Sequence, residues 1–438
     1  MTIYNVLNGV LIACLALPAL LLLLVRTERG ARLRATLSRW LYRVSGHRDL
    51  SALEWWHVTL VVAAGWAAIV GFNLATGLYN CSGPGHESDI IGFLNQGRAF
   101  LTGGNPFNVP DCGGTIEEPD GLAAVLINAL GSFGGVAGIA VIWGAISVSI
   151  VPLTWLAAGE DRRYLTVYVT LLPLYFPLVA SQIDGASNAL VPAAVLLTLV
   201  LAQRQELGAT GLAGLLATQR FPTMFPIVGL SGSLRRRYLA AFAGLAVFAT
   251  GTLLCVLVWG HDFLGPVFLD QIERHSFSLN FWGIFLLQGW LPAGDGLTIA
   301  QGLLTIALVL IVFFTVRSPL RAAAIVLTGV ALLTQFLSFN ILVWILPAAL
   351  VGTRPRWWLW GIAVIATTNY NLVLGVYAWK QGIYWPTELL DLMLTACLVG
   401  LFIDLWRIER ADRGAPRPRP TTATAPETVG AVSAATTS

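Results

Sequence analysis

The sequence predicts an all-α, polytopic membrane protein, and three observations carry that prediction. Hydrophobic residues make up 56% of the chain and charged residues only 11%, against about a quarter charged in an ordinary soluble domain. Apolar runs of about 20 residues recur, long enough to cross a hydrocarbon core of about 30 Å. Arginines gather between those runs, as expected of loops held on the cytoplasmic side. Backbone polar groups in lipid must be satisfied within the segment, so runs of this length predict helices and not a barrel. One membrane domain, residues 1–410, takes in nearly the whole chain.

The first apolar run, residues 3–25, is followed by Arg26, Arg29, Arg32, Arg34, Arg39, Arg43 and Arg48. That loop is expected in the cytoplasm and the N-terminus outside. No A-x-A-like cleavage site follows the run, which predicts a retained helix and not a removed signal peptide. Residues 56–79 then lead out, 137–158 return to Asp161, Arg162 and Arg163, 165–180 go out, and 189–201 come back to Arg204.

Residues 209–232 lie between Arg204 and the triplet Arg235, Arg236 and Arg237, both of which favour the cytoplasm. A single crossing would break the positive-inside rule. Pro222 and Pro226 interrupt helix in the middle of this stretch, beside Arg220. A re-entrant pair of half-helices is therefore expected, the first about 20 Å long, lifting Arg220 into the outer half of the membrane. The remaining crossings are 238–259 out, 297–316 in, 322–337 out, 341–351 in toward Arg354 and Arg356, 357–377 out, and 389–406 in. That makes about eleven crossings plus the re-entrant pair. Residues 411–438, rich in Pro, Ala and Thr without apolar periodicity, are expected to be a disordered cytoplasmic tail.

This arrangement collects the long polar loops outside: 80–121, 181–188 and 260–295, with a short loop at Lys380. The first is the most structured in its pattern. Ile90, Ile91, Phe93 and Leu94, then Ala99, Phe100 and Leu101, recur at helical spacing, with Ser88 as N-cap candidate beside Asp89. Gly103-Gly104-Asn105-Pro106 ends the helix. An amphipathic helix along the outer membrane surface is expected, with Asp89 at its N-terminus. On physics alone Asp89 is a capping or dipole-compensating carboxylate.

The stretch "SDIIGFLNQGRAFLTGGNPFNV" resembles the first outer-loop signature of the GT-C glycosyltransferases that use polyprenyl-phosphate sugars. It is most similar to the actinobacterial polyprenol-phosphate-mannose-dependent mannosyltransferases. Two further segments agree in order: "SQIDGASNALVPAAVLL", which brings forward Gln182 and Asn188, and "LAGLLATQRFPTMFPIVGL", with Arg220 where the family has Lys. The resemblance covers most of 56–356 through short, degenerate motifs. The chain departs from the family in its additional first helix, in "EEPDG" replacing an aromatic-Pro-Pro segment, and in "LSFNILVWILP", which lacks the family's His.

The resemblance implies an integral membrane inverting glycosyltransferase of the cell membrane, with a GT-C-like fold and its active site on the outer face. Its donor is a polyprenyl-phosphate sugar, mannose being the expected one, and its acceptor a glycolipid or lipoglycan. It assigns Asp89 as catalytic base. A sugar hydroxyl ionises far above neutrality, so a carboxylate placed to take its proton contributes about 10²–10⁴-fold. The departing phosphate needs a fixed cation. Arg220 leads, with His275 and Lys380 behind it, while Gln182, Asn188 and Asp184 are further substrate-binding candidates and Asp184 a second possible base.

Each residue also has a plainer reading: Arg220 as one half of a structural ion pair, Lys380 as a snorkelling anchor, His275 as a solvated loop residue. Cys81 and Cys112 share the outer loop, where an oxidising exterior permits a disulfide as the alternative to two free thiols. Cys14, Cys255 and Cys397 fall within spans as small buried hydrophobes. Glu117, Glu118 and Asp120 read as a solvated acidic turn or a divalent-cation site. Interfacial belts account for most of the 16 tryptophans. No cofactor and no metal is expected. Membrane lipids are partners and nucleic acid is not, since the arginines are juxtamembrane and neither a Walker A nor a dinucleotide fingerprint occurs. The competing class is a polytopic transporter or lipid flippase, for which Arg220 would be a pathway charge. The long outer loops and the absence of an internal repeat count against it.

Overall fold

The computed structural model describes residues 55–77, 79, 89–110, 121–158, 175, 178, 187–203, 207–217, 234–264, 280–287, 295–334, 337, 341–374 and 385–414. All elements among them are helical: α1 (Trp55–Thr76), α2 (Asp89–Leu101), α3 (Leu122–Ser132), α4 (Gly135–Ala158), α5 (Leu190–Gln203), α6 (Leu207–Ala217), α7 (Leu234–Trp259), α8 (His261–Leu264), α9 (Phe281–Leu287), α10 (Asp295–Thr315), α11 (Pro319–Leu333), α12 (Thr353–Leu374) and α13 (Trp385–Gly414). Two 3-10 segments, Ser187–Ala189 and Ile341–Leu350, complete the set. The chain is an α-helical protein of membrane type, with four helices among the described residues long and apolar enough to cross a bilayer: 135–157, 237–259, 296–315 and 388–413.

Several boundaries follow from local chemistry. α2 stops where Gly103 adopts φ +75°, and the N–H of Gly104 reaches back to Ala99 O at 2.7 Å. This is the left-handed closure that glycine permits after a helix. α11 begins with Pro319 behind Ser318, whose Oγ accepts from the Arg321 N–H at 3.5 Å. α13 runs past residue 411, where the tail was expected to start, through Gly414. Its last turns are braced by Arg413 on Glu409 at 3.2 Å and by Asp412 on Arg321.

α7 measures the molecule. Its residues 237–259 rise about 33 Å, close to the thickness of a bilayer core. At its start Arg237 donates to Phe313 O, and Tyr238 packs on the Phe313 ring, so the beginning of α7 meets the end of α10. Directly after it, the Arg317 backbone N–H donates to Glu409 Oε1 of α13 and Arg321 Nε pairs with Glu409 Oε2, while Arg354 and Arg407 flank Asp404. One end of the bundle thus gathers Arg237, Arg317, Arg321, Arg354 and Arg407. At the other end of α7, Trp259 and Phe263 hold Phe107 with ring centroids 5.3 and 4.9 Å away. Residues 89–110 of the first loop, which carry Arg98, therefore meet the end of α7 opposite this arginine cluster.

The largest apolar core surrounds Ile341–Leu350, whose residues 342–349 are all buried. This segment was expected as an ordinary crossing. It is instead a ten-residue 3-10 helix, and the tighter winding lets ten residues cover about 20 Å where an α-helix covers about 15 Å. Enclosure by α11, α5 and α12 holds it. Its terminal carbonyls find donors from outside the segment: Tyr175 Oη to Leu342 O at 2.9 Å and Arg356 Nε to Ala349 O at 2.8 Å.

Candidate functional site

The site begins with α2. Its inward residues Ile90, Gly92, Phe93, Leu94, Gln96 and Gly97 are buried, while Asp89 and Arg98 are exposed. Asp89 is the first residue of the helix, where its negative charge is complementary to the helix dipole. The partner of the buried face is α3, an 11-residue helix that the sequence reading left unassigned between the outer loop and the span at 137–158. α2 also touches α4, so it is docked onto two helices.

A buried polar chain pins this docking. Asn128 Nδ2 donates to Gln96 Oε1 at 2.7 Å, and Trp143 Nε1 donates to Asn128 Oδ1 at 2.9 Å. Gln96 and Asn128 have no exposure at all. A buried amide without partners is costly, so the three residues fix the register of α2, α3 and α4 together. Sequence reasoning missed Gln96 and Asn128, although the lone amide Asn128 within the otherwise mostly apolar 122–131 is a signal of this kind.

The Gly103-Gly104-Asn105-Pro106 turn has its own partner. Asn105 Oδ1 accepts from the Phe107 N–H at 3.0 Å, and its Nδ2 donates to Asp262 Oδ2 at 2.9 Å. The turn thus seats Phe107 against Trp259 and Phe263 and joins the first loop to α8. Asn95 Nδ2 closes the loop on Pro110 O at 2.7 Å.

The second described candidate, Asn188, lies in the 3-10 turn before α5. It is buried, and its Oδ1 has no hydrogen-bond partner among the described residues. Gln182, Asp184, Arg220, His275, Lys380, Cys81 and Cys112 lie outside the described residues, as does the second half of the expected re-entrant pair. The stretch expected to form its first half is helical through Ala217, as α6, which packs on α7 and touches α3. One apolar cluster gathers the neighbours of three candidates: Ile90 beside Asp89, Leu190 two residues after Asn188, and Leu216 four residues before Arg220, around Tyr79, Phe93 and Trp143.

A further polar cluster was not anticipated. In α13, Asp391 is fully buried; its Oδ1 accepts from Asn369 Nδ2 at 2.7 Å, and Asp391 Oδ2 and Asn369 Oδ1 are buried without hydrogen-bond partners among the described residues. Thr395 Oγ1 accepts the Phe281 N–H at 2.9 Å, tying α9 to the same turn of α13. No protein-family model matches the chain, and no curated protein is significantly similar to it.

Proposed function

We propose that the protein is an inverting glycosyltransferase that moves a sugar, with mannose as the expected one, from a polyprenyl phosphate to a glycolipid or lipoglycan acceptor on the outer face of the cell membrane. The observation that supports this reading is the convergence of Ile90, Leu190 and Leu216 in one cluster. These residues lie within the three segments whose motifs resemble the mannosyltransferases. That cluster belongs to the part of the molecule that carries the first loop, at the end of α7 away from the arginines, and positive-inside orientation makes that end the outer one.

In this reading the acceptor hydroxyl oxygen attacks the anomeric carbon opposite the phosphate. The new glycosidic C–O bond forms as the bond from the anomeric carbon to the phosphate oxygen breaks, and the anomeric configuration inverts. The polyprenyl phosphate leaves with the bonding electron pair, and the hydroxyl proton passes to Asp89. Exposure at a helix start suits Asp89 to that role, because the helix N-terminus favours the carboxylate form that must accept the proton. Arg220 is the proposed partner of the departing phosphate, backed by His275 and Lys380. Asn188, Gln182 and Asp184 are the proposed sugar contacts.

The test is transfer of labelled mannose from polyprenyl-phosphate-mannose to glycolipid acceptors by the purified full-length chain in nanodiscs. Asp89→Asn is expected to lower turnover by about 10²–10⁴-fold with an unchanged melting profile. Full transfer by a normally folded Asp89→Asn protein removes Asp89 from the role of base, and no transfer by the wild type from any polyprenyl-phosphate sugar removes the reaction.

A further inference from the structure

The last two turns of α13 place Arg407, Arg410 and Arg413 along one wall of a groove of about 560 Å³, completed by Ile311 and Thr315 of α10 and Phe402 of α13. A second groove of about 440 Å³ shares Arg407 and continues to Arg354 and Trp358. No carboxylate lines the larger groove: Glu409 and Asp404 are buried, and Asp412, 60% exposed, is engaged by Arg321. Glu409 is 2% exposed and engages Arg321 and Arg413, and Asp404 is 9% exposed and accepts from Trp358 Nε1 at 2.8 Å. Arg407, by contrast, keeps 68% of its side chain exposed beside Asp404, and Arg410 is exposed with no carboxylate paired to it among the described residues. The wall of the larger groove is therefore cationic, with Glu409 and Asp404 buried behind it and Asp412 held by Arg321 outside the lining.

Away from the arginines, the same wall turns apolar. Ile403, Val399, Ile311, Phe314 and Leu310 are each at least 41% exposed. On a membrane helix such residues face acyl chains. A ligand matching this surface has a negative head, which guanidinium groups bind in pairs of hydrogen bonds, and a hydrocarbon body. Basic pockets between membrane helices are suited to such headgroups. We propose that this groove binds an anionic phospholipid of the leaflet at the arginine end, with its phosphodiester on Arg407, Arg410 and Arg413 and an acyl chain along Ile311, Phe402 and Ile403. The site lies at the end of α7 opposite Phe107 and Trp259, so it is separate from the proposed sugar-transfer site and does not rest on it.

The full-length chain, purified in neutral detergent, is titrated with phosphatidylglycerol and with phosphatidylcholine, and lipid retention is read by native mass spectrometry. The wild type is expected to prefer phosphatidylglycerol by about tenfold or more. Arg410→Gln lowers that preference about fivefold, since one arginine near an anionic headgroup contributes that much. Arg407→Gln/Arg410→Gln/Arg413→Gln abolishes it. Arg235→Gln, at the start of α7, leaves it unchanged, and millimolar inorganic phosphate does not displace the lipid. Arg410→Gln breaks no ion pair among the described residues, so its effect is readable even if the triple variant fails to fold. Equal retention of the two lipids by the wild type, undiminished preference in Arg410→Gln, or displacement by inorganic phosphate overturns the proposal.

Discussion

Replacing Gly97 by alanine is the sharpest test of how α2 is held. A Cβ on Gly97 would stand 2.3 Å from Asn128 O, 2.5 Å from Asn128 C and 2.9 Å from Ala129 N. All three are backbone atoms of α3, so no side-chain rotation relieves the contact. To bring the closest pair to 3.0 Å, below which real Cβ contacts essentially never fall, the helices must part by at least 0.7 Å. Overpacking of this kind costs about 1–3 kcal/mol, and the same separation stretches the bond from Asn128 to Gln96, now 2.7 Å. Asp89 lies eight residues away on the same helix, about 12 Å along its axis, and moves with it. If Asp89 is the base, as proposed, a misplacement approaching 1 Å is worth up to about 10²-fold in rate. The assay pairs thermal unfolding in nanodiscs with labelled-sugar transfer, using Gly65→Ala in α1 as control because a Cβ there meets nothing within 4 Å. Gly97→Ala should melt several degrees lower and transfer at least about tenfold more slowly, with the control near wild type. A Gly97→Ala protein that melts and transfers like the control refutes the close α2–α3 contact.

Two further outcomes follow from the packing. Phe107→Ala empties a buried slot between Trp259 and Phe263 and should cost about 3–5 kcal/mol, measured as a lower denaturation midpoint in a mixed-micelle titration; a loss below about 1 kcal/mol would mean that the loop does not dock there. Asn369→Ala removes the donor to buried Asp391 and should destabilise by about 1–3 kcal/mol. Adding Asp391→Leu should recover part of that loss, because an apolar pair is tolerated where a lone buried carboxyl is not, and additive losses in the double variant would show the two residues to be uncoupled.

Much of the fold is legible in the sequence because its determinants are local. The apolar periodicity of residues 89–101 and the glycines after it define α2 and its end, since helix geometry and left-handed closure depend only on near neighbours. α3 is not legible in the same way: its 11 mostly apolar residues are too few for a crossing, and Gly121 before them offers no side-chain cap. It is held by tertiary contact with α2, through Asn128. Ile341–Leu350 reads as an ordinary apolar run, and its 3-10 winding depends on enclosure by neighbouring helices.

The sequence by itself determined the class of the protein, the length of its apolar runs and the clustering of most of its arginines between those runs. Those follow from the transfer free energy of each segment between water and lipid, which a segment carries on its own. Tertiary structure alone decided which helix faces which. It joined Asn105 to Asp262 across 157 residues, brought Ile90, Leu190 and Leu216 into one cluster, and buried Asp391 against Asn369. Within a bilayer the hydrophobic effect does not choose between apolar neighbours, so close packing and the few interhelical hydrogen bonds make that choice.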